Sequence, residues 1–354
     1  MDTPPDIAPH SPFEFSGKGG EYFRIWIVNL ALTIITLGIY SAWAKVRRLQ
    51  YFYRNTSLLG NSFDYHGDPI AILKGRLIAI GLLVIYNVTA SFSISLGIMV
   101  FIFLLAALPW LLQRSICFKL INSSYRGLRF RFNGSIGGAY KVFLGWPVLS
   151  YITLGLLFPF AHQRIKAYQH NNSAYGTAPF SFSADVGPFY GVYLKMIGLM
   201  LVPLFLFGFI AGAFGLFAGM GGVGKDPAQM GRAMFKVFAV FMVFYLVLFL
   251  VIGPWFAARM QNLVWNHTAL GPHTFSSRVR ARDLLLIYVT NFILIVLTLG
   301  LYKPFADIRL AQYRLTHMAV QTQGNLDEFF AQEQQAVNAI GEETANVFDV
   351  DISF

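Results

Sequence analysis

From Leu77 to Gln113 the chain carries no Asp, Glu, Lys, Arg or His in 37 consecutive residues. That run constrains the fold more than any motif does. It is long enough for two membrane spans of about 17–20 residues, so a helical hairpin fits it best. Met196 to Gly224 and Val237 to Ala258 are uncharged as well and suggest a second hairpin. Three further runs, Ile25 to Ala44, Val142 to Ala161 and Leu284 to Tyr302, are each long enough to cross a core of about 30 Å. With 56% hydrophobic and 12% charged residues, the chain has the composition of a polytopic membrane protein.

The single runs share a pattern. TLGIYSAWAKVR from Thr36, TLGLLFPFAHQR from Thr153 and TLGLYKPFADIR from Thr298 align without gaps, and Tyr51, Tyr168 and Tyr313 follow their arginines by four residues. PWLLQR from Pro109 and PWFAAR from Pro254 are weaker copies. Each of the five places an aromatic residue four before an arginine, at Arg47, Arg114, Arg164, Arg259 and Arg309, and that spacing falls on one helix face. Polar stretches with Gly and Asn follow the first four arginines and suit a helix stop and turn. FEFSG, FDYHG, FRFNG and FSFSA (from Phe13, Phe63, Phe130 and Phe180) then alternate as short strands.

The expected fold class is therefore an all-α polytopic membrane protein with an internal repeat of about two and a half units, short interfacial β-strands and re-entrant hairpins. The expected boundaries are an N-terminal tail over 1–12, repeat units over 13–129 and 130–274, a half unit over 275–320 and an acidic tail over 321–354. That tail holds seven acids and no Lys or Arg, so 27 basic residues face 10 acidic ones in the body. A solvated end, or one that competes with lipid for the basic face or docks a partner, fits that composition. The glycine-rich stretch from Gly219 to Arg232 reads as a loop outside the bilayer.

Two topologies remain open. Seven full spans would split the arginines between the two sides of the membrane. If each single run dips in and returns at its TLG, four full spans remain and all five arginines face the cytoplasm, as short basic cytoplasmic loops favour. The second arrangement is the preferred one, with both termini cytoplasmic. The first 20 residues carry Asp2, Asp6, Glu14 and several prolines instead of a basic start and an apolar run, so no signal peptide is expected.

The string TLGIYSAWAKVR, followed by YFYRNT and preceded by FEFSGKGGEYF, resembles the YjgN-like bacterial inner-membrane proteins, a family of unknown function. The resemblance runs from about Phe13 to Tyr313. It implies a bacterial inner (plasma) membrane location and supplies no activity. The later copies depart from it, with Leu157 in place of Tyr40 and with His162 and Asp307 in place of Lys45.

For function, the residues offer anion or anionic head-group sites at Arg47, Arg114, Arg164, Arg259 and Arg309 with Tyr51, Tyr168 and Tyr313, because guanidinium pairs bidentately with phosphate. The competing account is that Trp, Tyr and Arg anchor helices at the interface. Membrane lipid is the expected partner and nucleic acid is not, since the basic residues flank apolar spans and form no separate domain. The sequence does not settle whether a protein partner or a homo-oligomer is involved. Cys117 stands alone and the seven histidines are scattered, so neither a metal site nor a cofactor is expected. No catalytic set assembles from spacing, and an enzyme is not expected. The polar residues within the spans are neutral (Asn29, Asn87, Thr89, Ser91, Ser93, Ser95, Asn291) and suit hydrogen bonds between helices. A transporter or channel-like protein is the leading reading, on the repeat architecture alone. The other is a non-transporting scaffold that binds anionic lipid or a protein partner through its arginine face.

Overall fold

The computed structural model describes residues 10–220 and 227–349. It overturns the all-α expectation, because ten strands close into one antiparallel barrel. Five consecutive segments build it, each a strand, a pair of helices and a second strand. The first is β1 (His10–Phe15), α1 (Gly19–Ile35), α2 (Ser41–Arg54) and β2 (Thr56–Leu58). The second is β3 (Asn61–Tyr65), α3 (Pro69–Phe92), α4 (Ile94–Ile121) and β4 (Ser123–Tyr125). In the third, β5 (Leu128–Phe132) leads to α5 (Ile136–Tyr140), a π-helical turn (Lys141–Gly145), α6 (Trp146–Ile152), α7 (Phe158–Asn171) and β6 (Ser173–Tyr175). Pro147 cannot donate to the carbonyl of Phe143, and the widened turn lies immediately before it. The fourth is β7 (Ala178–Phe182), α8 (Val186–Met220), α9 (Pro227–Trp265) and β8 (Thr268–Leu270), and the fifth β9 (His273–Ser277), α10 (Ala281–Leu297), α11 (Lys303–Thr316) and β10 (Met318–Gln321). Residues 221–226 of the expected glycine-rich loop lie outside the described residues, and the chain is helical from Pro227.

The strands run His10↔Gln321 at the closing seam and Phe13↔Leu58 between the strands of the first segment. Tight turns join successive segments. Leu59–Gly60 and Arg126–Gly127 take positive φ at both central positions, the geometry that matches strand twist. The even-numbered strands are only three or four residues long. Such strands give no period-two signal, so the sequence shows one strand in each of the first four segments and none in the fifth, where each has two. The glycines of the FxFxG segments have a packing reason. A Cβ on Gly134 would lie 2.4 Å from the Phe132 ring, and one on Gly67 2.5 Å from the Tyr65 ring.

All ten helical legs leave from one end of the barrel. Each packs on the next in chain order, and α11 packs back on α1 to complete the ring. Four helices, α3, α4, α8 and α9, are long and apolar enough to cross a membrane. The other three pairs are short, with 17-residue first legs in α1 and α10 and 14-residue second legs in α2, α7 and α11.

Each short pair turns back at its TLG. Gly38 N–H bonds Thr33 C=O (2.7 Å) and Leu37 N–H bonds Ile34 C=O (3.1 Å), which closes α1 with a Schellman motif. The same pattern recurs at Gly155 and Gly300. Leu37, Leu154 and Leu299 occupy the left-handed position with φ of 49°, 52° and 49°, where glycine would be less strained. Each is 95% exposed. A large apolar side chain at a strained, protruding tip belongs in hydrocarbon, not in water.

Helix rise gives the depth. Arg47, Arg164 and Arg309 lie ten residues beyond their tip leucines, or ~15 Å at 1.5 Å per residue. Arg114 lies 21 residues beyond the Ser93 turn, or ~31 Å. Measured from the arginines, the short tips therefore extend through half, and the α3–α4 turn through the whole, of a hydrocarbon core of about 30 Å.

Spin labels at Leu37→Cys, Leu154→Cys and Leu299→Cys in a Cys117→Ala background are therefore expected to show oxygen accessibility of the bilayer centre, and Ser95→Cys to react with an impermeant maleimide from outside intact cells. Outside labelling at Arg164→Cys would exclude this topology.

Candidate functional site

The five arginines each stand nine residues before the first residue of β2, β4, β6, β8 or β10. They therefore form one tier around the helix ring. All five are exposed. Among the described residues none pairs with a carboxylate. Arg114 lies over the Trp110 ring (5.9 Å) and Arg164 over Phe160 (4.8 Å), as the four-residue spacing suggests, whereas Arg47 lies over Tyr40 (5.7 Å) instead of Trp43. Arg309 differs, donating to Asn291 Oδ1 at 2.9 Å.

The three tyrosines face the strand–helix junctions, away from this tier. Tyr51 Oη accepts from Lys18 N–H (2.9 Å), Tyr168 Oη donates to Ser135 C=O (2.8 Å), and Tyr313 Oη accepts from Arg280 N–H (3.0 Å). Each pins the second leg of a hairpin to the start of the first. The helix ends are tied in an equally regular way. Asn55, Asn122 and Asn172 donate to the carbonyl four residues back at 2.7–2.8 Å, and His267 and His317 occupy the same place in the last two segments. Thr56, Ser123, Ser173 and Thr268 bond their own i−4 carbonyls at 2.7–2.8 Å. Of the neutral residues within the spans, Asn87, Thr89 and Ser91 bond carbonyls of their own helix, while Asn291 reaches Ala306 C=O in α11.

Inside the barrel, Phe13, Phe63, Phe130, Phe180 and Phe275 form an aromatic belt, one residue per segment, with ring centroids about 6 Å apart along it at 6.2, 6.3 and 6.1 Å. Between this belt and the last helical turns lies a cavity of about 580 Å³, lined from all five segments. In the sequence Phe13, Phe63, Phe130 and Phe180 mark strands, whereas Phe275 does not. Nothing in the sequence shows that the five meet, because their convergence follows from barrel closure.

The far end of the barrel is covered by α12 (Leu326–Asp349), the expected acidic tail. Leu326 and Phe330 are buried against Tyr125, Tyr175 and Leu270 of the barrel. Glu333 Oε2 accepts from Thr177 N, Thr177 Oγ1 and Ala178 N at 2.7, 2.6 and 2.9 Å. Arg126 pairs with Asp327 at 2.6 Å and lies over the Phe330 ring at 5.0 Å. The start of the tail is thus part of the folded domain. Burial pushes the Tyr175 hydroxyl well above its ordinary value.

Four helices apolar enough to cross a membrane, leaving one end of a closed barrel, define an integral membrane protein. The chain matches the family described as "Bacterial protein of unknown function (DUF898)" over residues 10–347 and belongs to it. It is similar to the inner membrane protein YjgN of Escherichia coli O157:H7, 33% identical over 154 residues, which cover 43% of this chain and 38% of the relative. It is similar also to YjgN of Salmonella typhimurium, 34% identical over 144 residues, covering 40% of this chain and 36% of that protein. These matches span well under half the length of the relatives. No solved structure matches the chain. The protein is a bacterial inner-membrane protein.

At the barrel mouth, burial and then the charge of Lys166 lower His170 from 6.5 to about 4. Its Nδ1 lies 3.3 Å from Thr268 Oγ1. A histidine held neutral by the fold contributes stability that is complete above pH 6.5 and is lost as the pH falls toward 4. Thermal unfolding in detergent should therefore show wild-type protein losing on the order of 2–3 kcal/mol more than His170→Gln between pH 7 and 4. Parallel curves would exclude a buried neutral His170.

Proposed function

We propose that the protein is a non-transporting membrane scaffold that holds anionic lipid head groups in a ring at the cytoplasmic face of the inner membrane. The observation that carries this reading is the tier of five exposed arginines at one depth, none paired with a carboxylate among the described residues. Guanidinium and phosphate meet bidentately, and a cation near an anionic surface contributes about 1 kcal/mol. The barrel end, with Lys45, Lys119, Lys166, Arg278, Arg280 and Arg282, is the basic end, and the positive-inside tendency assigns it to the cytoplasm. In this reading Tyr51, Tyr168 and Tyr313 position the helices that carry Arg47, Arg164 and Arg309. The five segments are further read as copies of one unit, in which two hairpins have lengthened into full spans and three have not.

Transporter or channel-like activity is the second reading, and the cavity on the axis of barrel and helix ring favours it. It has less support, since α12 covers the far end and, among the described residues, the α3–α4 and α8–α9 hairpins share no substantial contact. Solute flux in proteoliposomes tests it.

In phosphatidylcholine nanodiscs doped with spin-labelled phosphatidylglycerol, the protein is expected to immobilise the anionic lipid preferentially. Arg47→Gln, Arg114→Gln, Arg164→Gln and Arg259→Gln should each weaken the preference about fivefold, the equivalent of ~1 kcal/mol. Arg309→Gln should weaken it less, because that guanidinium already serves Asn291. Equal immobilisation of zwitterionic and anionic lipid by wild-type protein would end the proposal.

A further inference from the structure

The cavity under the aromatic belt has the size and polarity of a ligand site. Its volume of about 580 Å³ falls within the ~300–1,000 Å³ of small-molecule sites. At about 30 Å³ for a water-sized group it holds about 19 non-hydrogen atoms, which matches one long alkyl chain with its head. The wall is mostly aromatic and aliphatic, with Phe63, Phe130, Phe180, Trp265 and Met318 around it.

The polar part of the lining is not evenly distributed. The hydroxyls of Thr56, Ser123 and Ser173 are already committed to helix carbonyls. Lys119 is the only charged side chain among the lining residues, and no carboxylate is among them. It occupies the position five residues after the segment's arginine, where the other segments have Phe52, Gln169, Val264 and Arg314. Arg314 adds a second cation at that level, and its Nε is buried without a hydrogen-bond partner. Lys166, whose pKa is lowered by burial and then by Lys119, is a third nearby. Lys119 thus stands in the wall of an apolar chamber with Lys166 close enough to feel its charge, and Leu326 and Phe330 of α12 belong to the same core as the phenylalanine belt.

We infer that the barrel lumen binds a single-chain amphipathic anion, its head group at Lys119 and its alkyl chain among the phenylalanines of the belt. The site opens toward the helix ring, where such molecules partition, and Lys119, exposed there and without a carboxylate partner among the described residues, can pair with a ligand that brings its own negative charge. Carboxylate and phosphate heads share this chemistry. The inference does not rest on the arginine tier, none of whose members lines the cavity.

The test uses full-length protein in phosphatidylcholine nanodiscs with two photoreactive probes, a diazirine-bearing hexadecanoate and the matching hexadecyl phosphate. Cross-linked peptides are mapped by mass spectrometry. Adducts are expected on β5, β7 and the last turn of α9 around Trp265, displaced by the unlabelled anion at concentrations at least tenfold below those needed of hexadecanol. The more readily displaced probe arm identifies the head group. Lys119→Met should reduce lumen labelling at least tenfold, Ser173→Phe should remove it by filling the chamber, and Arg164→Gln should leave it unchanged. Adducts confined to the lipid-facing sides of α3 and α8 in wild-type protein, or equal displacement by hexadecanol, would overturn the inference whether or not either variant folds. Loss of lumen labelling in Arg164→Gln would also count against it, by tying the signal to the outer tier.

Discussion

Neighbouring antiparallel strands leave and re-join a barrel at the same end, and this constraint governs everything beneath it. The segment between β1 and β2 must return to the side it left, as must the four segments that follow, because each is inserted between two hydrogen-bonded neighbours. An odd number of crossings is thereby forbidden to each segment. The seven-span arrangement fails for that reason alone, without appeal to charge. The returning hairpin is then the only way for Ile25–Ala44, Val142–Ala161 and Leu284–Tyr302 to place their apolar surface in lipid.

A chain that turns inside hydrocarbon must satisfy its own backbone, since no water is available to do so. The TLG turns meet that requirement with the 6→1 and 5→2 bonds of the Schellman motif, and Thr36 and Thr298 supply a side-chain acceptor for the N–H of Tyr40 and Tyr302. Leucine at the left-handed position is locally unfavourable. Three strained leucines, each almost wholly exposed, make sense when the gain from placing an apolar side chain in the bilayer exceeds a strain of order 1 kcal/mol. Outside the bilayer the same requirement is met by pairing each strand on both sides, which leaves the barrel without an edge.

Much of this was legible from residue order. The uncharged runs mark the long helices, the TLG strings mark the three short hairpin tips, and the Asn and Gly after each of the first four arginines mark helix ends. The barrel was not legible, because TSL, SSY, SAY, TAL and MAV are too short to carry a pattern and their partners lie a helical hairpin away in sequence. The arginines could be found from their spacing, but Arg309's bond to Asn291 and the tyrosines' bonds to backbone needed coordinates. The tail misled for another reason. Its acidic composition suggests solvation, yet Leu326, Phe329, Phe330 and Val337 recur at helical spacing and seat the helix on the barrel.

The two proposed sites follow from the two faces of one helix turn. On the second leg of each hairpin the arginine is exposed and stands outside the cavity lining, while five positions later Phe52, Lys119 and Gln169 line the cavity in the first three segments. That inner position varies among Phe, Lys, Gln, Val and Arg, whereas the outer one is Arg in all five segments. Uniform chemistry at the outer tier suits a partner that is the same all round the ring, as a lipid leaflet is. Mixed chemistry at the inner tier suits a single ligand held in one orientation, with its charge at Lys119 and its apolar part against the opposite wall. The surface and the chamber therefore make separate demands on the sequence, and disabling one need not disable the other.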